Sequence, residues 1–180
     1  FRSHLLQVLA TIAMEPSAVF GSTEVRDERA KLLRSIRIPK PQEVAKTSVA
    51  GQYAGFRQET GVDPEALTPT YAAASFRIDN WRWAGVPFFV RTGKKLAKRT
   101  TEIAIQYNRV PLSIFAGHEP AANLLILRIQ PEEGISLRFQ SKNPGSGMHL
   151  RPVSMAFQYG TSFGKRSSNA YETLLLDALS

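Results

Sequence analysis

Leu5, Val8, Leu9 and Ile12 recur at the three- and four-residue spacing of one helix face, which predicts a helix over 4–14. Pro16 and the Gly21-Ser22-Thr23 run stop it. Thr23 is placed to cap a second helix. Asp27 and Glu28 fall in its first turns, and Lys31, Arg34 and Arg37 lie toward its far end, where they suit the helix dipole. Val25, Leu32, Leu33 and Ile36 supply its apolar positions, and Pro39 and Pro41 end it. From 42 to 69 the chain reads as irregular with short extended pieces such as 49–53, punctuated by Gly51, Gly55, Gly61, Pro64 and Pro69. A connection that long inside a compact domain is usually functional or packs over another element.

Beyond it the period changes. Residues 71–78 read as extended, 79–83 as a helical turn, and 86–91 as a strand ending at Thr92-Gly93. Ile103, Ile105 and Tyr107 alternate with polar or small residues, 124–129 is a nearly continuous apolar run, and Ile135, Leu137 and Phe139 alternate again. Val153, Met155, Phe157 and Tyr159 complete the series. Period-two runs separated by Pro and Gly predict an antiparallel meander with one buried face. Helical spacing returns over 170–179. Helices before and after a block of strands make an α+β domain.

The chain has 180 residues, 43% of them hydrophobic and 21% charged, which suits one globular domain with a sizeable core. No stretch approaches the roughly 18 apolar residues that a membrane span needs, and the opening segment has helical spacing rather than a secretory signal's solid apolar block. Without cysteine there is no disulfide framework or thiolate metal site, a composition that fits a reducing cytoplasm. With no initiator methionine, a start inside a helix and an end inside an apolar run, the chain reads as cut at both ends.

A net charge of +8 suits either a polyanion or a small phosphorylated ligand. The cations are spread along the chain rather than gathered into an arm, with the densest cluster at Arg91, Lys94, Lys95, Lys98 and Arg99. His4, His118 and His149 are not spaced as metal ligands, and neither a Gly-x-Ser-x-Gly elbow nor a Gly-x-Gly-x-x-Gly dinucleotide fingerprint is present. A nucleotide-linked reaction would therefore bind its nucleotide elsewhere. In the run 88–99 a strand delivers a glycine turn directly into cations, the arrangement in which backbone and ammonium can both approach a phosphate or sugar hydroxyls. A basic turn of this kind is more often simply solvated, so spacing alone goes no further than a basic α+β domain.

Ile78-Asp79-Asn80-Trp81-Arg82-Trp83-Ala84-Gly85-Val86-Pro87-Phe88, followed by Arg91-Thr92-Gly93-Lys94, resembles the signature run of the glucose-6-phosphate dehydrogenases. The likeness continues in order. His4-Leu5-Leu6-Gln7 with Ala13-Met14-Glu15-Pro16 precedes that run, as do Val25-Arg26-Asp27-Glu28, Leu33-Arg34-Ser35-Ile36-Arg37 and Gly51-Gln52-Tyr53. Arg128-Ile129-Gln130-Pro131, Glu133-Gly134-Ile135, Lys142 with Pro144-Gly145, and Ala170-Tyr171-Glu172 with Leu174-Leu175-Leu176-Asp177 follow it. The resemblance implies the C-terminal domain of a two-domain NADP-dependent enzyme: a large, mainly antiparallel sheet flanked by helices, which binds substrate and pairs subunits, without the N-terminal Rossmann half.

By that resemblance His4 matches the general base that takes the C1 hydroxyl proton of glucose 6-phosphate, although Arg2 and Ser3 stand where the family usually has Gln-Asn. Lys94 and Arg99 match substrate-binding positions, and Gln130 a further substrate-linked one. Arg91 and Arg128 match positions that in some members hold a second, structural NADP. The family's Arg-Ile-Asp-His-Tyr-Leu-Gly-Lys-Glu motif, which supplies most phosphate contacts and the aspartate that orients the histidine, is absent from these residues. The expectation is thus part of a cytoplasmic homo-oligomeric dehydrogenase, inactive alone, with no nucleic-acid or membrane partner. Two readings stand beside it: a non-catalytic module that pairs with full-length subunits, and a basic nucleic-acid-binding domain.

Overall fold

Alanines at positions 10 and 13 let the first two helices approach closely, and that contact builds the core. In the computed structural model, which describes residues 2–113, 119–145 and 147–164, helix α1 spans Arg2–Ala13 and helix α2 spans Ser22–Arg34. Ala10 and Ala13 of α1 are buried in one cluster with Leu32 of α2 and Ile78, and Ile12, Ile36, Trp83 and Phe88 pack against it; Leu9 of α1 is buried as well. Helix α2 begins two residues earlier than a cap at Thr23 would place it. Gly21 holds the N-cap position in an extended conformation and lends no side-chain cap. At the other end the Ser35 hydroxyl and N–H both donate to the Leu32 carbonyl and close the helix.

The stretch expected to be irregular contains a third helix, α3, over Pro41–Thr47. Pro41 starts this helix rather than merely ending α2, because its fixed φ suits the first turn, where its missing N–H costs nothing. The Glu43 carboxylate accepts from the Lys40 N–H at 2.9 Å and completes that end. Seven residues with only Val44 and Ala45 as apolar positions carry too little periodicity to be read from sequence. Strand β1, Ser48–Gly51, follows directly, and a single 3-10 turn covers Phe56–Gln58.

Strands β2, Tyr71–Arg77, and β3, Pro87–Gly93, pair antiparallel with Phe76 opposite Phe88 and Tyr71 opposite Gly93, and β1 pairs with the other side of β2. A second sheet has strand order β4-β5-β6-β7, with β4 at Thr101–Gln106, β5 at Leu124–Gln130, β6 at Gly134–Lys142 and β7 at Leu150–Gln158. The fold is α+β with antiparallel sheets, as the pattern predicts. The strands divide into one sheet of three and one of four. Each sheet lies in its own compact unit, Phe1–Ala97 or Lys98–Ser180. A short helix, α4, at Tyr159–Phe163 ends the described part, and the helical spacing expected over 170–179 lies outside the described residues.

The register of the four-stranded sheet sorts its side chains. Ile103 faces Leu127, which faces Ile135, which faces Phe157; Ile105, Leu125, Leu137 and Met155 form the next row. Directly opposed residues share a face, so one face is an unbroken apolar surface. The other carries Leu124 and Ile126 among Arg128, Ser136, Arg138 and Ser154. Gly134 is required where β6 meets β7, because a Cβ there would stand 2.5 Å from the Phe157 carbonyl oxygen.

Candidate functional site

The turn between β2 and β3 ties the helix that carries His4 to the strand that leads into Lys94. Asp79 pairs with Arg37 at 2.9 Å, and its N–H donates to the Ser35 carbonyl at 2.8 Å. The Asn80 side-chain oxygen accepts from the Trp83 N–H at 2.8 Å and sets the turn. The Trp83 indole N–H then donates to the Ala13 carbonyl at 2.8 Å, while Arg82 pairs with Glu15 at 3.0 Å. Arg82 and Trp83 thus hold the turn to the C-terminal end of α1, while Asp79 holds it to the residues that follow α2. His4 is exposed near the other end of that helix.

Strand β3 ends on Gly93 for a steric reason: a Cβ there would come within 2.9 Å of the Tyr71 ring and 3.3 Å of Leu96. The next residue is anchored by its backbone. The Lys94 N–H donates to the Thr70 carbonyl at 2.8 Å, leaving the Lys94 side chain exposed. Thr70 is only 2% exposed and all its polar groups are used. Its N–H donates to the Gly51 carbonyl and its hydroxyl accepts from the Tyr53 N–H, both at 2.9 Å. The Gln52 amide donates to the carbonyls of Ala66 and Thr68 at 2.7 and 3.0 Å, so the long 52–70 connection is stitched down beside the glycine turn.

Lys95 turns the other way. Its φ of 52° is left-handed, which is uncommon for a residue with a Cβ. Its ammonium forms an ion pair with Glu59 and lies 4.4 Å from the centre of the Tyr53 ring. The hydrogen bond from Lys95 holds the Glu59 carboxyl below its ordinary range, with the Tyr53 hydroxyl and the Lys94 charge acting the same way. The Lys95 ammonium is raised, chiefly by Glu59. Partial desolvation and then the Glu59 carboxylate raise the Tyr53 phenol.

In the second unit, Arg99 is exposed just before β4, and the next residue, Thr100, donates its hydroxyl to the Gln130 carbonyl at 3.2 Å. Arg99 and Gln130 therefore lie at the same end of the β4–β5 ladder. On β5, Arg128 lies opposite Glu102 and Gln130 opposite Thr101, and the pairing is irregular between these two positions. Arg91 is exposed on β3 and lines an open groove of about 640 Å³ with Lys46, Thr47, Ser48 and Ser75. Ala45, Val49, Ala73, Ala74, Phe89 and Val90 make the rest of its lining apolar.

His149 is exposed, and His118 lies outside the described residues. Among the described residues no group of three or more His, Asp or Glu is gathered as a metal site, and no helix is long and apolar enough to cross a membrane. Sequence reasoning missed Thr70, Glu59 and the part played by Lys95. All three act through contacts with the irregular segment, where no period marks a residue.

The family model for the glucose-6-phosphate dehydrogenase C-terminal domain matches residues 1–180. The glucose-6-phosphate 1-dehydrogenase of Aggregatibacter actinomycetemcomitans is 47% identical over 99% of the chain, and that of Mycolicibacterium smegmatis 42% identical over 99%. Among solved structures, the glucose-6-phosphate 1-dehydrogenase of Mycobacterium avium superposes with a TM-score of 0.83 at 35% identity over 98% of the chain. A glucose-6-phosphate dehydrogenase in complex with its substrate glucose-6-phosphate matches at 0.83 and 34% identity. The chain spans 38% of the length of both curated relatives. It belongs to the glucose-6-phosphate dehydrogenase family and corresponds to the C-terminal domain of those enzymes.

Proposed function

We propose that this chain forms the substrate-facing and subunit-pairing part of a cytoplasmic, NADP-dependent glucose-6-phosphate dehydrogenase. The reaction oxidises glucose 6-phosphate at C1 to 6-phosphogluconolactone, the entry step of the pentose phosphate pathway. The observation that carries this reading is an exposed ammonium, Lys94, held by its backbone at a glycine turn in a chain matched over its whole length by the family model.

His4 removes the C1 hydroxyl proton. Histidine is the side chain most often used to take such a proton in a reaction. The hydride leaving C1 would need the acceptor that a bound NADP would supply. The 180 residues contain no glycine-rich dinucleotide fingerprint, so the nicotinamide is held by a part of the subunit outside this chain. Lys94 and Arg99 supply charge-assisted hydrogen bonds to the phosphosugar, and Gln130 supplies an amide to its hydroxyls. Arg91 and Arg128 would meet the phosphates of a second, structural NADP, as the family resemblance implies. Subunits pair through the apolar face of the four-stranded sheet.

The test is NADPH absorbance with the complete subunit. Replacing Lys94 by Met should raise KM for glucose 6-phosphate about tenfold, the loss of one hydrogen bond to a charged group. The 180-residue chain alone should produce no NADPH. An unchanged KM, or turnover by the chain alone, would contradict the reading.

A further inference from the structure

Lys94 and Lys95 are adjacent in sequence and treated oppositely by the fold. Both side chains are exposed, but Lys95, at a positive φ, directs its ammonium back onto Glu59 and the Tyr53 ring. Tyr53 is held in turn by the buried Thr70, the same residue whose carbonyl fixes the Lys94 N–H. Phe56 packs edge-on against Tyr53 at 5.5 Å. The turn and the 52–70 segment are thus joined twice, once through the backbone at Thr70 and once through the side chains of Lys95, Glu59 and Tyr53.

We propose that Lys95 is a positioning residue: by engaging Glu59 and Tyr53 it latches the glycine turn onto the 52–70 segment and keeps Lys94 free to meet a sugar phosphate. The inference rests on the reading of Lys94 as a phosphosugar contact. Two physical effects make it more than a surface ion pair. A left-handed lysine has a backbone cost that the latch must outweigh, so losing the ion pair lets the turn relax toward commoner conformations and displaces Lys94. Glu59 also lies close enough for the Lys94 charge to act on its carboxyl. Without Lys95, that carboxylate becomes an uncompensated negative charge beside an anionic substrate and a competing partner for Lys94.

The test uses the complete dehydrogenase subunit that carries this chain. Lys95→Met keeps the stem and removes the charge; it should raise KM for glucose 6-phosphate about five- to tenfold with kcat within about twofold. Adding Glu59→Gln removes the stranded carboxylate and should restore the electrostatic share of the loss, leaving the share due to the relaxed turn, while Lys95→Arg should stay near wild type. Lys98→Met, one turn along in the same basic run, should leave KM within about twofold, as expected of a solvated cation. A merely structural role would not give recovery on losing the second partner.

Trace labelling with acetic anhydride, read for each lysine by mass spectrometry, tests the latch without substrate. Lys95 should react several-fold more slowly than Lys94, and Glu59→Gln should bring the two level. Equal reactivity in the wild type overturns the latch. A raised KM for Lys94→Met with an unchanged KM for Lys95→Met overturns the positioning role alone. An unchanged KM for Lys94→Met, with Lys95 still protected, overturns the role of Lys94 and with it the purpose assigned to the latch.

Discussion

The indole N–H of Trp83 donates to the carbonyl of Ala13 at 2.8 Å, joining the turn before β3 to the last residue of the helix that bears His4. The Trp83 ring also packs edge-on against Phe88 at 5.1 Å. Trp83→Phe keeps the aromatic pair and leaves one helix-end carbonyl without its donor. The expected loss is about 1 kcal/mol in urea denaturation. Trp83→Ala also deletes the packing and should cost about 3 kcal/mol or more.

Ile78 is 1% exposed at the centre of the small core between α1 and α2, and an isolated bridge pairs it with Ile36. Ile78→Ala should cost about 2–5 kcal/mol, because a filled position becomes a cavity. Leu67→Ala, on a side chain 83% exposed, should change stability by less than about 0.5 kcal/mol. Equal effects in urea denaturation would mean that the core lies elsewhere.

What could be read in the sequence followed its periods. Leu5, Val8, Leu9 and Ile12 announce α1, and the alternations at 103–107, 135–139 and 153–159 announce three strands of the second sheet. The apolar run at 124–129 hides its alternation, and only the pairing assigns Leu125 and Leu127 to one face and Leu124 and Ile126 to the other. α3 stayed hidden because its signals are a proline and a capping glutamate rather than a stripe of apolar residues. The candidate site was proposed by resemblance alone, through His4, Lys94, Arg99 and Gln130. Its support was not: Thr70 and Glu59 act through tertiary contacts that leave no local pattern.

The apolar face of the four-stranded sheet includes Ile135, Met155 and Phe157, each more than a third exposed, with Met155 at 65%. An apolar face of this kind marks an interface, and most homo-oligomers are two-fold symmetric. Light scattering of the chain at micromolar concentration should report a dimer. Met155→Glu should dissociate it, and Ser154→Glu, on the opposite face, should not. A monomer whose mass does not change with concentration would rule out pairing through this face.

The ion pair of Lys95 with Glu59 has a defined pH window. The Glu59 carboxyl is lowered, so its contribution is present above the ordinary carboxylate range and is lost as pH falls through its depressed folded value. The Lys95 ammonium is raised, so its contribution is complete below the ordinary ammonium range and is lost as pH rises through its elevated folded value. Lys94 favours the ionised carboxylate, and Tyr53 faces both partners. After correction for intrinsic exchange, hydrogen exchange of amides in 52–60 should show constant protection between about pH 5 and 9. Protection should fall on the acid side, and Glu59→Gln should abolish that fall.

The most direct test of the functional reading is the turnover number of the complete subunit with His4 replaced by Asn. Asn keeps a polar side chain on the exposed start of α1 but cannot take a proton. The account predicts that kcat for glucose 6-phosphate oxidation falls by about 10²–10⁴-fold, the usual contribution of a general base, while KM moves little. The Lys94→Met enzyme, measured beside it, should show the reverse emphasis, with a raised KM and a smaller loss in kcat. A His4→Asn enzyme that turns over at the wild-type rate would contradict the assignment of the base and the reaction chemistry built on it.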